Sequence, residues 1–122
     1  MALLEKELTG EIIEACIEIS NELGPGFLES VYKKALIIVL TSMGIKAEEE
    51  VPLSVKFRSY IIGEFSADVL VERRVIVELK AIKSLTSEHE AQLIHYLKAT
   101  GIKVGLLINF GKTKVEWKRL VY

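Results

Sequence analysis

Apolar residues recur at helical spacing in two segments of the first half of the chain. In residues 9–23 the apolar positions are three or four residues apart, which is typical of one face of a helix. Thr9 is a candidate N-cap of this helix, and the GPG segment at 24–26 ends it. A second helix is predicted over residues 28–43, with Gly44 in the position just after its C-terminus.

Alternation of apolar and polar residues, or short apolar runs, then predicts strands. The strands span residues 51–57, 61–71, 75–82, 103–110 and 115–122. A third helix is predicted, with Thr86 or Ser87 as its N-cap; it runs to Thr100 and is ended by Gly101. The order ααβββαββ predicts one α/β or α+β domain over residues 1–122, with a mixed central sheet of about five strands flanked by helices.

The strand VIVELKAI (75–82) is apolar, yet it contains Glu78 and Lys80. Because side chains alternate across a strand, these two charged side chains share a face. The turn ERR (72–74) predicts an antiparallel hairpin with the preceding strand, which sets Asp68, the only aspartate, opposite Glu78 or close to it. Two opposed carboxylates repel each other, so a nearby positive charge is expected.

Two interpretations of this charged hairpin follow. Lys80 supplies one positive charge, and a divalent cation such as Mg²⁺, which prefers oxygen ligands, would supply two more. The alternative is an ordinary hairpin with a partly exposed ion cluster, which contributes little to stability.

The second and third predicted helices contain further polar residues that are candidates for a functional site. Glu29 lies in the first turn of the second helix, where the helix dipole or a pair with Lys33 also accounts for it. Tyr32 is typical of an aromatic residue at the edge of a core. Gln92 and Tyr96 are four residues apart on one face of the third helix, which by itself is equally typical of a solvated face.

The overall composition does not indicate a function, but charge is distributed unevenly along the chain. The net charge is −1, with −6 in residues 1–50 and +5 in residues 51–122. A basic second half is compatible with a polyanionic partner or with ordinary surface charge. The lone cysteine, Cys16, excludes an internal disulfide and suits a reducing cytoplasm. The acidic N-terminus does not resemble a signal peptide, and no apolar run is long enough to predict membrane insertion.

Three segments together resemble a known family. They are LGPGFLESVYKKAL, ADVLVERRVIVELKA and EAQLIHYLKATGIKVGLLINFG, and they closely resemble the GxxExxY protein family of the PD-(D/E)XK nuclease-like superfamily. The family pattern matches Gly26, Glu29 and Tyr32, and the resemblance runs from about residue 8 to the end of the chain. It implies a restriction-endonuclease-like core and a phosphodiesterase site that uses Mg²⁺ or Mn²⁺.

The resemblance also implies roles for individual residues. The implied metal ligands are Glu29, Asp68, Glu78 and the carbonyl of Leu79. Lys80 is the implied catalytic lysine, and Gln92 and Tyr96 match a motif that supports the site and the nucleic acid. Candidate nucleic-acid contacts are Tyr32, Arg73, Arg74 and Lys83. Ser20 and Ser66 depart from the family pattern, in which a histidine and an arginine are frequent at these positions.

We therefore expect a metal-dependent nuclease that acts on nucleic acid, with DNA favoured, in the cytoplasm and without membrane association. It is expected to work as a homo-oligomer or with an accessory protein. The alternative is a non-catalytic module that has kept the nuclease fold and binds nucleic acid or a protein.

Overall fold

A computed structural model describes residues 4–122 and contains the predicted elements in the predicted order. The elements are α1 (Lys6–Leu23), α2 (Glu29–Ser42), β1 (Ala47–Phe57), β2 (Tyr60–Val71), β3 (Val75–Lys80), α3 (Ser87–Thr100), β4 (Val104–Asn109) and β5 (Glu116–Val121). The α+β fold class and the order ααβββαββ are thus confirmed. Within the described residues, no helix is both long enough and apolar enough to cross a bilayer.

The five strands form one mixed sheet in the order β1-β2-β3-β4-β5. All neighbouring strands are antiparallel except β3 and β4, which are parallel. A parallel pair needs a crossover connection, and α3 provides it. The two central strands are almost wholly buried, which explains why their sequences are continuously apolar.

Each face of the sheet is covered by a separate apolar cluster, because alternate side chains of a strand point to opposite faces. Val75, Val77 and Leu79 pack with residues of α1 and α2 in the larger cluster. Ile76 packs with Leu93 and Leu97 of α3 in the smaller one. By the same alternation, Glu78 and Lys80 lie on the face of the sheet that α3 covers.

The N-cap prediction for Thr9 is wrong. Helix α1 begins at Lys6, and Thr9 is buried inside the helix. Its hydroxyl donates a hydrogen bond to the Glu5 carbonyl at 2.9 Å, as threonine hydroxyls often do within helices. Leu8 is also buried, so the apolar face extends one turn further towards the N-terminus than residues 9–23 indicate.

The ends of the other helices follow the predicted signals. Thr86 caps α3, and its hydroxyl oxygen accepts a hydrogen bond from the His89 backbone N–H at 3.4 Å. Gly44 and Gly101 follow α2 and α3 in left-handed conformations, with φ of 76° and 77°.

Strand β1 begins four residues earlier than predicted, at Ala47, because Ala47, Glu48 and Glu49 pair with the end of β2. The strand lies at an edge of the sheet and contains Pro52, a residue that sheets tolerate at edges. Glu50, two residues before the proline, has a left-handed backbone with φ of 51°, and the pairing with β2 is interrupted at this position.

Candidate functional site

The pairing between β2 and β3 ends where the two carboxylates meet. Val71, Leu70 and Val69 pair with Val75, Ile76 and Val77, and the next pair in this register would be Asp68 and Glu78. Here side chains replace backbone partners: the Asp68 N–H donates to Glu78 Oε2 at 3.3 Å, and the Leu79 N–H donates to Asp68 Oδ2 at 2.8 Å. The predicted proximity of the two carboxylates is therefore a feature of the structure, and their positions are fixed by backbone groups.

The Glu78 side chain is held in an environment that opposes its negative charge. The residue is only 9% exposed. Burial, followed by contact with the Asp68 carboxylate, raises the pKa of Glu78 to about 9, while the charge of Lys80 has a smaller opposite effect. The folded chain therefore keeps Glu78 in its neutral, protonated form over a wider pH range than an exposed glutamate.

Lys80 is the last residue of β3, and the segment after it is fixed by a buried asparagine. Asn109 of β4 lies beside Lys80 in the sheet and is fully buried. Its side-chain amide donates to the Ile82 carbonyl and its oxygen accepts from the Ile82 N–H, both at 3.0 Å. A Cβ atom on Gly111 would lie 2.0 Å from the Ile82 carbonyl oxygen, so only glycine fits there. Lys80 is therefore presented from a rigid strand end.

Helix α3 places an aromatic side chain near the two carboxylates. The ring of Tyr96 stacks on Phe65 of β2, with a distance of 3.7 Å between ring centroids. Burial raises the pKa of Tyr96, and the negative charges of Glu78 and Asp68 raise it further. Gln92 lies one turn earlier on α3 and is exposed. Tyr96 thus reaches the carboxylates from the face of the sheet on which Glu78 lies.

Helix α2 contributes a second charged cluster, which the sequence did not reveal. Lys33 forms an ion pair and hydrogen bond with Glu50 of β1, and Ser66 Oγ donates to Glu50 Oε2 at 2.8 Å. These two contacts lower the pKa of Glu50. The hydrogen bond to Glu50 raises the pKa of Lys33, and the nearby charge of Asp68 adds to this effect. Lys33 therefore pairs with Glu50 rather than with Glu29, and it lies close enough to Asp68 to interact with its charge.

The sequence of the chain matches one family model over residues 6–120, described as the PD-(D/E)XK nuclease superfamily. The chain belongs to the PD-(D/E)XK nuclease superfamily. Membership agrees with the carboxylate pair and lysine on neighbouring strands, and nucleases of this superfamily generally use divalent metal ions.

A solved structure supports the fold assignment. The crystal structure of SSO0001 superposes with a TM-score of 0.59 at 20% sequence identity. The matched region covers 96% of this chain and 58% of that chain, so this chain corresponds to little more than half of SSO0001. At this identity the similarity shows the fold alone. No curated protein matches the chain.

Two further candidates on α2, Glu29 as a metal ligand and Tyr32 as a nucleic-acid contact, have contrasting surroundings in the structure. Glu29 is the first residue of α2 and is exposed, and residues 4–122 contain no group of three His, Cys, Asp or Glu side chains arranged to hold a metal. Tyr32 is fully buried: its ring stacks on Phe110, and its hydroxyl donates to the Gly24 carbonyl at 2.6 Å. The structure therefore does not support Tyr32 as a nucleic-acid contact, because it holds the α1–α2 connection against the core.

The basic residues proposed as nucleic-acid contacts fall at two ends of β3. Arg73 and Arg74 lie in the turn that precedes β3, so they are at the opposite end of the strand from Lys80. Arg73 forms an ion pair with Glu48 at 2.9 Å, and Arg74 forms one with Glu5 at 3.5 Å. Lys83 is exposed and follows the Lys80 end of the strand. Of these three residues, Lys83 is the one placed near the carboxylates along the chain.

Proposed function

We propose that the protein is a phosphodiesterase that hydrolyses nucleic acid with the help of Mg²⁺ or Mn²⁺, with DNA as the favoured substrate. The observation that carries this proposal is the carboxylate pair Asp68 and Glu78, which backbone N–H groups hold together on neighbouring strands, with Lys80 on the same face as Glu78. Membership in a nuclease superfamily agrees with this assignment.

The residues present fit a divalent cation. Asp68 and Glu78 offer carboxylate oxygens, the ligand type that Mg²⁺ prefers, and the backbone carbonyl of Leu79 between the charged residues of β3 is a further oxygen ligand in this proposal. Phosphate oxygens of the substrate and water would supply the remaining ligands. When bound, the cation would polarise the phosphate and lower the pKa of an attacking water.

The side chains around the pair then have separate tasks. Lys80 offsets the negative charge that develops on the phosphate as water attacks phosphorus and the P–O ester bond breaks. Its compact ammonium suits a position beside a metal ion. Tyr96, held by its stack on Phe65, and Gln92 on the same helix face support the substrate strand next to the pair.

The experiment that tests the proposal is a cleavage assay on labelled single-stranded and duplex DNA and RNA, with Mg²⁺, with Mn²⁺ and with EDTA. We expect cleavage by the wild type that needs the metal, and a loss of at least about 100-fold in Glu78→Gln and Lys80→Met. Glu14→Gln on α1 and Lys118→Met on β5, both exposed positions, are the matched controls. Equal activity in Lys80→Met and the wild type would contradict the proposal.

A second candidate function is supported by the position of Glu29. Because the described residues bring together two carboxylates and leave Glu29 exposed, the domain is also compatible with a module that binds nucleic acid without cleaving it. In that case the wild type would bind labelled DNA or RNA, and no substrate would be cleaved in any metal.

The cytoplasm is the compartment that we propose. Cys16, the only cysteine, is fully buried, and burial raises the pKa of its thiol to about 12. Such a thiol is unreactive and serves as a small apolar core residue.

A further inference from the structure

The β1–β2 hairpin extends well past the part of the sheet that β3 supports. Strands β1 and β2 pair from Ala47–Val71 to Phe57–Tyr60, whereas the pairing of β2 with β3 ends at Val69. Helix α3 covers the part of the hairpin around Phe65, because the ring of Tyr96 stacks on the Phe65 ring. Beyond this support lies the hairpin tip, which we define as residues 56–62.

The hairpin tip exposes an unusual concentration of large apolar side chains. Phe57, Tyr60, Ile61 and Ile62 are between 55% and 74% exposed. Clustered exposed apolar residues on a protein surface commonly mark a site of interaction. Phe57 and Tyr60 pair across the hairpin, so their rings lie on the same face of the two strands.

The charge of this region indicates what kind of partner fits. Residues 51–63 contain Lys56 and Arg58 and no acidic residue. The Arg58 guanidinium lies over the Phe57 ring, 5.0 Å from its centroid. Basic side chains that contact phosphates, next to aromatic rings that stack on bases, are the combination by which proteins hold nucleic-acid strands.

The backbone of the turn supports a role for its side chains. Arg58 and Ser59 both have left-handed conformations, with φ of 50° and 71°. A two-residue hairpin turn of this kind normally contains asparagine or glycine, because other residues are strained there. Strained backbone of this kind is found at ligand-binding segments, although it also occurs at Glu72 and Arg73 in the β2–β3 turn.

We propose that the hairpin tip is a nucleic-acid-binding element, in which Lys56 and Arg58 contact phosphates while Phe57 and Tyr60 stack on bases. This inference rests on the proposed function for its substrate class. Tyr60 and Asp68 are separated along β2 by about 26 Å at the usual rise of a strand. At the rise of about 3.4 Å per base pair of a duplex, the DNA must be roughly eight base pairs long to reach both the hairpin tip and the carboxylate pair.

The test measures binding rather than cleavage, so it does not depend on catalysis. Fluorescein-labelled DNA of 24 and of 6 nucleotides, single-stranded and duplex, is titrated with the full chain in EDTA at several salt concentrations. Arg58→Gly is the sharpest variant, because glycine relieves the backbone strain and should leave the fold intact. Tyr60→Ser removes a ring, and Tyr122→Ser and Lys118→Gln are controls at exposed positions.

We expect Tyr60→Ser to weaken binding of the 24-nucleotide DNA about tenfold. Arg58→Gly should reduce the salt dependence, lowering the slope of log K against log salt by about 0.7–0.9. The wild type should bind the 6-nucleotide duplex more weakly than the 24-nucleotide duplex, because the short duplex cannot reach both the tip and the carboxylate pair, and the controls should match the wild type throughout.

Three other outcomes separate this inference from the proposed function. If the wild type binds the 24-nucleotide DNA without cleaving it, and the tip variants show the expected losses of binding, the result supports the tip as a binding element and contradicts hydrolysis. Unchanged binding and cleavage in both tip variants overturns the inference alone. Loss of self-association in the variants, measured by sedimentation, with unchanged DNA binding would also overturn it, because the tip would then contact a second copy of the chain. A fourth result, no binding by the wild type in EDTA, also overturns the inference, whereas metal-dependent cleavage by the same protein would leave the proposed function in place.

Discussion

Two carboxylate clusters lie side by side on β2, and they differ in how their charge is neutralised. In the first cluster, the Glu50 carboxylate accepts a hydrogen bond from the Ser66 hydroxyl and forms an ion pair with Lys33. Both contacts lower the pKa of Glu50. Two residues along the strand, Asp68 and Glu78 face each other in a more buried position, and the pKa of Glu78 is raised. The first carboxylate is neutralised by groups of the protein, whereas the second cluster holds two carboxyl groups against each other in a place that opposes the charge of Glu78.

The strongest way to test this comparison is to measure cation binding. We expect Mn²⁺ to bind the wild type saturably in calorimetry, and Asp68→Ala and Glu78→Ala each to weaken binding by at least about 100-fold, because both remove a carboxylate ligand. Glu50→Ala should bind nearly as the wild type does, because Lys33 already neutralises that carboxylate. Equal losses in all three folded variants would show that the clusters do not differ as described.

The same substitution should have opposite effects on stability in the two clusters. In the metal-free protein at pH 8, Glu78→Gln should raise the free energy of unfolding by about 1–2 kcal/mol, because Glu78 must take up a proton on folding at this pH, whereas glutamine is neutral in both states. Glu50→Gln should lower it by less than about 1 kcal/mol, because it removes an exposed ion pair. Urea unfolding in EDTA measures both, and a destabilised Glu78→Gln would contradict the interpretation.

The raised pKa of Glu78 should also make the free energy of unfolding depend on pH. Because the pKa of Glu78 is higher in the folded chain than in the unfolded chain, folding takes up a proton between about pH 4.5 and about pH 9. The contribution of Glu78 to stability is therefore full below the lower value and is lost as the pH rises, with a slope of at most about 1.4 kcal/mol per pH unit. The difference between the wild type and Glu78→Gln in EDTA should follow this trend. A difference that does not change with pH would contradict it.

The smallest expected effect concerns the charge that one cluster exerts on the other. Since Lys33 lies near Asp68, Lys33→Met should tighten Mn²⁺ binding about twofold to fivefold by removing a repulsive positive charge. Lys34→Met is the matched control, because Lys34 is more exposed and pairs with Glu49. The gain should shrink at high salt, and an equal gain in both variants would point to a general charge effect instead.

Local patterns were enough to predict the element order and the Asp68–Glu78 contact. A short turn fixes the register of a hairpin, so positions 68 and 78 can be placed opposite each other from the sequence. The caps at Thr86 and Gly101 are equally local and were predicted for the same reason.

The features that sequence analysis missed depend on contacts between distant parts of the chain. Lys33 and Glu50 are 17 residues apart and meet only because α2 packs against the sheet. The start of β1 was placed too late because Glu48 and Glu49 do not favour a strand by themselves, and their pairing with β2 supplies the stabilisation. The early end of β3 likewise reflects Asn109, whose amide takes the place of a strand partner for Ile82.

The edge position of β1 also determines how this sheet can grow. Pro52 cannot donate a backbone hydrogen bond, and the left-handed Glu50 bends the strand beside it, so an added strand would find an irregular and acidic template. The other edge, β5, runs without proline from Glu116 to Val121 and offers regular backbone groups. If two copies of this chain ever share a continuous sheet, the structure therefore favours a junction through β5, on the side of the molecule away from the β1–β2 hairpin.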